Sequence, residues 1–314
     1  MTFHVVVGAG PAGTATALRL AESGDQVRLV TRRGTGPEHP GIERIAADAV
    51  DADGLTALAG GAATLVNCAA PPYHRWLPEF PPLAAALLTA AERTGAGYVM
   101  LGNVYGYGPV DGRIDEQRPF APTSRKGTLR AALWEDALAA HTAGRVRATE
   151  VRASDYLGAG AGSLFQLMAA PAVVAGEPAG YPADLDAPHS WTYLGDVAAT
   201  LAAAARNGEA WGRAWHVPST SEASAREVAR RLARAAGAPE AGLTALSAAE
   251  LAELAQGDEI LAEVVEMGYL LYRPLLLDSA RTEKVLGVSA TPLDTVLAEV
   301  ARELSALAVE GAGS

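Results

Sequence analysis

The run Phe3-His4-Val5-Val6-Val7-Gly8-Ala9-Gly10-Pro11-Ala12-Gly13-Thr14-Ala15-Thr16-Ala17-Leu18 decides the fold. A β-branched stretch, His4–Gly8, reads as a strand. The alanine- and leucine-rich segment Ala12–Ser23 reads as a helix. Between them stand Gly8, Gly10 and Gly13 in G-x-G-x-x-G spacing, with Pro11 and Ala12 opening the helix. In such a loop the first glycine makes the turn, the second lets a pyrophosphate approach the backbone, and the third lets helix and strand pack closely. The helix N-terminus then offers N–H groups to the phosphates.

Working outward, the same alternation continues. Gln26–Thr31, Ile42–Ala46, Ala63–Cys68, Tyr98–Leu101, Arg147–Arg152 and Arg213–Val217 read as strands, and Asp53–Ala59, Leu83–Thr94 and Lys126–His141 as helices. Continuous apolar strands joined by helices predict an α/β, doubly wound parallel sheet of Rossmann type. Ala153–Pro188 is rich in Gly, Ala and Pro and shows no obvious strand. Beyond Ser221 the pattern is helical. Ser224 caps one helix, Ser247 with Glu250 forms a capping box, and Thr291-Pro292 starts a last helix through Leu304. The expected division is a dinucleotide-binding domain over 1–157, completed by 192–218, and a mainly helical substrate lobe over 158–191 and 219–314.

The chain has 314 residues, 49% of them hydrophobic, and a net charge of -11. The acidic balance argues against nucleic acid as a partner. One cysteine fits a reducing compartment, no export signal opens the chain, and no window reaches the ~18 apolar residues of a membrane span. A cytoplasmic protein is expected, with a homodimer left open. Its only lysines are Lys126 and Lys284, a bias that suggests a GC-rich, bacterial genome. No histidine cluster has metal-ligand spacing, so no metal is expected.

Arg32 and Arg33 follow the second strand, where an NAD site would place an acidic residue on the ribose hydroxyls. Two guanidiniums suit a 2′-phosphate, so NADP(H) is expected ahead of NAD(H).

Further motifs resemble the extended short-chain dehydrogenase/reductases, the NAD-dependent epimerase/dehydratase family, over nearly the whole chain. Asp48-Ala49-Val50-Asp51 resembles the family's D-x-x-D, whose first Asp meets the adenine amine. Asn67-Cys68-Ala69-Ala70 resembles the cofactor-lining segment after strand four, which implicates Cys68, Ala69 and Ala70. Val104-Tyr105-Gly106 matches V-Y-G. Arg152 through Gly158 matches R-x-F-N-P-x-G in its Arg and Gly and brings Ser154 beside the cofactor. His189 through Ala198 resembles the start of a late helix.

The departures fall on the chemistry. The family's Ser or Thr three residues before that Val is Leu101 here. Its Y-x-x-x-K is represented by Lys126-x-x-x-Arg130. The resemblance implies that Lys126 stands where a tyrosine donates a proton and that Arg130 holds the nicotinamide ribose. Arginine does not exchange protons near neutral pH, whereas lysine can when its pKa is depressed. Tyr105 and Tyr107 are the other donor candidates. Asn103 either binds a substrate oxygen or ties its loop.

No Lys or Arg occurs between Arg152 and Arg206, while Tyr73, Trp76, Tyr105, Tyr107, Tyr156 and Trp191 supply aromatic walls. The expected substrate is a small, neutral, largely hydrophobic molecule. Three functions are compatible with these features. The first is an NADPH-dependent reductase of a carbonyl, enone or imine with an atypical proton donor. The second is an epimerase or isomerase that keeps its cofactor, and the third a non-catalytic NADP(H)-binding sensor.

Overall fold

The computed structural model describes residues 2–240 and 242–312; Met1, Ala241, Gly313 and Ser314, to which the expected domain boundaries extend, lie outside the described residues. Seven strands form one parallel sheet: β1 (Phe3–Val7), β2 (Gln26–Thr31), β3 (Ile42–Ala46), β4 (Thr64–Asn67), β5 (Gly97–Asn103), β6 (Ala148–Ala153) and β7 (Ala214–His216). Their order is β7-β6-β5-β4-β1-β2-β3. The chain therefore reverses its direction of winding between β1 and β4. Crevices open at such switch points, beyond the carboxyl ends of the strands.

The central strands β1, β4, β5 and β6 are largely buried on both faces, which is why apolar runs rather than alternating patterns encode them, whereas β3 at the edge is half-exposed. Val5 and Val7 face a layer containing α2 (Ala52–Ala59), α3 (Trp76–Thr94) and α4 (Arg125–Thr142). Val6, Val66, Val99 and Val151 face the opposite layer, where α1 (Pro11–Glu22) packs against α5 (Leu194–Arg206). Val5, Val6, Leu65, Val66 and Val151 are all 0% exposed. Burying such a side chain contributes about 1.5–3 kcal/mol.

A second apolar cluster joins α6 (Ala225–Ala236) and α9 (Leu293–Ala312) to Phe165, Tyr181 and Trp191. The helices α7 (Ala248–Leu254) and α8 (Glu259–Val265) follow α6. Ser224 Oγ accepts from the Glu227 amide to cap α6, and Ser247 with Glu250 forms the expected box on α7. A further cluster, with Val104, Tyr107 and Ile114 on one side and Met267, Leu270 and Leu277 on the other, ties this region to the loop after β5.

Two expectations are corrected. The stretch after Arg152 does hold strands: Asp155–Leu157 pairs in parallel with Trp191–Tyr193, and Ala179–Tyr181 with Leu243–Ala245. Each is three residues long, too short for periodicity to register. Thr291 does not spend its hydroxyl on the last helix. Its Oγ1 donates to Asp196 Oδ1 and its amide to Oδ2, both at 2.7 Å, so a buried carboxylate claims it.

Candidate active site

The glycine loop has the geometry its spacing demands. Gly8 sits at φ +99°, and a Cβ there would come within 2.7 Å of the Ala69 nitrogen. A Cβ on Gly13 would lie 2.0 Å from the Gly8 carbonyl oxygen. These two glycines let β1, α1 and the β4 loop meet. Gly10 differs, because its missing Cβ faces open space. Gly10, Pro11, Ala70 and Asp48 are exposed around this groove, whereas Ala12 is buried and Ala69 half-buried. A groove rimmed by backbone at a helix N-terminus fits a dinucleotide pyrophosphate.

Local hydrogen bonds hold the groove in shape. Asn67 Oδ1 accepts from the Ala69 amide while its Nδ2 donates to the Tyr98 hydroxyl. Asp48 Oδ1 accepts from the Val50 amide, and Asp51 caps α2. Burial pushes the Cys68 thiol up to about 12, so it lines the groove without acting as a nucleophile. Ser154 is buried, and its Oγ donates to the Ser190 carbonyl.

The helix α4 begins at the carboxyl ends of β4 and β5. Ser124 caps it by accepting from the Gly127 amide at 3.0 Å. This places Lys126 and Arg130 one turn apart on its buried face. The Lys126 side chain is 1% exposed. Its ammonium donates to Glu263 Oε2, lies 3.7 Å from Glu266 Oε1, and sits 4.5 Å from the centre of the Tyr73 ring. Arg130 is also buried. Its Nη2 donates to the Leu101 carbonyl at 2.7 Å, and the guanidinium packs on Phe80 and Trp76. Its Nε has no hydrogen-bond partner among the described residues. Desolvation lowers its pKa, with Glu150 opposing. An unpaired N–H in such a place fits a ligand hydroxyl, because an orphaned buried donor is costly.

The aromatic residues divide. Burial pushes the phenols of Tyr73 and Tyr105 above the ordinary tyrosine range. Trp76 meets Tyr73 and Phe80 edge to face, and its ring centre lies 6.1 Å from that of Tyr105. Tyr156 is half-buried, its phenol pushed up to about 12 by burial. Tyr107 is 1% exposed, and its hydroxyl is spent: it accepts from Arg152 at 2.6 Å and donates to His216 Nε2 at 2.7 Å. Arg152 is in turn held by Glu150. Trp191 lies inside the second core cluster, its indole donating to the Ala223 carbonyl. Asn103 accepts from the Tyr105 amide, which ties the loop.

The structure thus brings Lys126, Arg130, Tyr73, Tyr105 and Trp76 together and keeps Tyr107 apart in a buried chain. It also supplies Glu263 and Glu266, which sequence reasoning missed. The two glutamates arrive from more than a hundred residues away with no local motif. Among the described residues no group of three His, Cys, Asp or Glu side chains could hold a metal ion, and no helix is long and apolar enough to cross a membrane.

The strand order and the glycine loop define a doubly wound α/β protein of Rossmann type. Residues 4–217 match the NAD dependent epimerase/dehydratase family, and the chain belongs to it. No curated protein matches the sequence. Among solved structures, MoeE5 in complex with UDP-glucuronic acid and NAD is similar at 22% identity and a TM-score of 0.78, covering 98% of this chain and 100% of that one. UDP-glucuronic acid 4-epimerase from Bacillus cereus in complex with NAD is similar at 16% identity and a TM-score of 0.80, covering 98% and 99%. dTDP-glucose 4,6-dehydratase from Bacillus anthracis in complex with NAD gives 15% and 0.78, covering 98% and 97%.

These complexes correct the expected preference for NADP(H), since each holds NAD. The physical reason lies in the arginines that suggested it. Arg32 and Arg33 are both exposed on the turn after β2, a turn closed by the Thr31 hydroxyl accepting from the Thr35 amide. Solvated guanidiniums on such a turn need no 2′-phosphate to explain them.

Proposed function

We propose that the protein is an NAD(H)-dependent enzyme of epimerase or dehydratase type that retains its cofactor and returns what it removes from the substrate. The observation that carries this reading is the buried Lys126 ammonium at the start of α4, paired with the half-buried Glu263. Burying a charge is expensive, and one kept with its partner at the mouth of a cofactor groove is a candidate for chemistry. The groove, Gly8 to Gly13 with the N-terminus of α1, would hold the pyrophosphate, and Arg130 Nε a ribose hydroxyl. When bound, the nicotinamide supplies the hydride acceptor and donor.

The side chains divide the remaining work. Lys126 donates hydrogen bonds to a substrate oxygen and favours negative charge there. Glu263, hydrogen-bonded to that ammonium, takes the proton the substrate hydroxyl must lose and gives it back in the return half. A lone ammonium could not accept that proton, so a carboxylate partner suits a reversible reaction better than a one-way donor would. Tyr105 and Tyr73, whose phenols burial raises, orient the oxygen without ionising.

The reading includes a division of labour between residues 1–157 with 192–218, which bind cofactor, and residues 158–191 with 219–314, which bind substrate. The substrate is a small molecule with a largely hydrophobic body. The stretch between Arg152 and Arg206 has no Lys or Arg for a diphosphate, and aromatic side chains border the cleft. Composition supports a bacterial, cytoplasmic setting.

The test is cofactor retention. The purified protein should carry NAD or NADH that dialysis does not remove and denaturation releases. Free exchange of the cofactor, with steady net consumption of NADH by a carbonyl substrate, would replace this reading with the reductase.

A further inference from the structure

The loop Gly158-Ala159-Gly160-Ala161-Gly162 follows the short strand Asp155–Leu157 and returns to the glycine-rich turn after β1. A Cβ on Gly160 would lie 3.3 Å from Pro11 Cγ, in the first turn of α1, and Ala161 belongs to the same apolar cluster as Ala9 and Ala12. Gly158 and Gly160, at φ +121° and +70°, supply the bends this path needs. The base of the loop is fixed locally: Gln166 Nε2 donates to the Gly158 carbonyl at 2.6 Å, and its Oε1 accepts from the Gly158 amide at 3.2 Å. The tip is held from elsewhere. Ala159 and Gly160 are exposed, and their amides donate to α9, Ala159 to Glu299 Oε1 at 2.8 Å and Gly160 to Glu303 Oε1 at 2.7 Å.

Glu299 and Glu303 stand one turn apart on α9, where two like charges repel. Glu299 Oε2 also accepts from the Tyr193 hydroxyl at 2.7 Å, and the Tyr193 ring fills the space a Cβ on Gly158 would need, its Cε2 only 2.9 Å away. Water could satisfy the exposed amides of the tip, so these bonds do not rescue a buried donor. What they add is a link. Hydrogen bonds to a charged acceptor are the stronger kind, and these two join the last helix to the loop that abuts α1. That helix is firmly seated. Val296, Leu297 and Val300 lie buried in the second apolar cluster, and Thr291 ahead of them is bound by Asp196.

We infer that Glu299 and Glu303 are positioning residues that hold the loop Gly158–Gly162 against the N-terminus of α1 and so slow the release of the cofactor. This rests on the reading of the glycine-rich turn as the pyrophosphate site, and it deepens the proposal that the cofactor is retained. An enzyme that takes a hydride and returns it must keep the reduced cofactor between the two halves of its cycle. Both carboxylates act through the loop amides and not on the reacting atoms.

The experiment follows NADH release from the loaded protein by stopped-flow fluorescence, chased with excess NAD. Glu303→Ala should release NADH at least about threefold faster than the wild type, and the double change Glu299→Ala with Glu303→Ala at least about tenfold faster. Glu303→Gln, whose side-chain oxygen still accepts from the Gly160 amide, should stay within about twofold of the wild type. Thermal midpoints of the cofactor-free proteins are read in parallel, because a merely structural pair would lower the midpoint and leave the release rate alone. Release at the wild-type rate by the folded double variant, or release by Glu303→Gln as fast as by Glu303→Ala, would overturn the inference. Glu303→Ala removes only the bond to Gly160, so its release rate decides where the double variant fails to fold. No NADH binding by the wild type would sink the proposed function and the latch with it. A wild type that holds NADH, beside variants that hold it equally well, would sink the latch alone.

Discussion

Arg130 Nη2 donates to the main-chain carbonyl of Leu101 at 2.7 Å, so the helix α4 is pinned to the end of β5 at the two positions where the chain departs from its family's chemistry. The bond crosses from one layer to the sheet and leaves Nε unpaired among the described residues. Arg130→Met keeps the packing against Phe80 and Trp76 but strands the carbonyl. A loss of about 1–3 kcal/mol in urea unfolding is expected. NAD affinity should fall about tenfold, the loss of roughly 1.4 kcal/mol. Unchanged NAD affinity by calorimetry would remove Arg130 from the cofactor site.

Lys126 and Glu263 are expected to depend on each other. Lys126→Met leaves the half-buried Glu263 with only the exposed Arg125, 3.7 Å away, as an ion-pair partner among the described residues, and the cost should be about 1–3 kcal/mol. Adding Glu263→Leu removes the stranded charge and should recover most of that stability while turnover stays lost. Additive effects in chemical denaturation would show that the two side chains do not form an energetic pair.

Acid should weaken the fold through His216. Its Nε2 accepts from Tyr107 and its Nδ1 donates to the Asp278 carbonyl at 2.9 Å, a pattern that only the neutral ring satisfies. Burial lowers its pKa from 6.5 to about 4. Because the folded value is depressed, the contribution is complete above pH 6.5 and declines as the pH falls towards 4, where the unfolded chain binds the extra proton. The loss over that window is about 3 kcal/mol. His216→Gln should be less stable at pH 7 and flatter with pH. A variant as steep as the wild type would place the acid sensitivity elsewhere, with the buried His4 the next candidate, its pKa also lowered by burial.

The sheet was legible because its central strands are apolar runs buried on both faces, so Val5-Val6-Val7 and Thr64–Asn67 announce themselves. The start of α3 was not. Pro78, Pro81 and Pro82 in its first turns look like loop residues, although the helix runs from Trp76. The glycine cradle could be read from spacing alone, since backbone clearance dictates it. Glu263 could not, because its role comes from the packing of α8 over the segment Tyr73–Arg75, a contact across the chain that no local pattern records. Arg32 and Arg33 misled for a related reason: sequence gives charge but not whether a guanidinium is held on a site or dissolved in water.

Those arginines give a direct check on the corrected cofactor. With both changed to alanine, NAD affinity should stay within about twofold, since exposed cations contribute little. A tenfold loss of NAD binding would show that the turn after β2 belongs to the site.

The glycine loop offers a cleaner separation of fold from cofactor binding. Gly13→Ala forces a methyl to within 2.0 Å of the Gly8 oxygen, so α1 must move from β1 and stability should fall by about 1–3 kcal/mol or more. Gly10→Ala differs, because no heavy atom lies within 4 Å of the new methyl and the backbone, at φ -66° and ψ 175°, suits alanine. The folded protein should keep its thermal midpoint. The methyl would nevertheless project over the N-terminus of α1, where close approach of a pyrophosphate needs bare backbone. NAD affinity in Gly10→Ala should therefore drop at least about tenfold with stability unchanged, the signature of a lost ligand contact rather than a damaged fold. Full NAD binding by that variant would move the pyrophosphate away from this loop, and the placement of the cofactor would go with it.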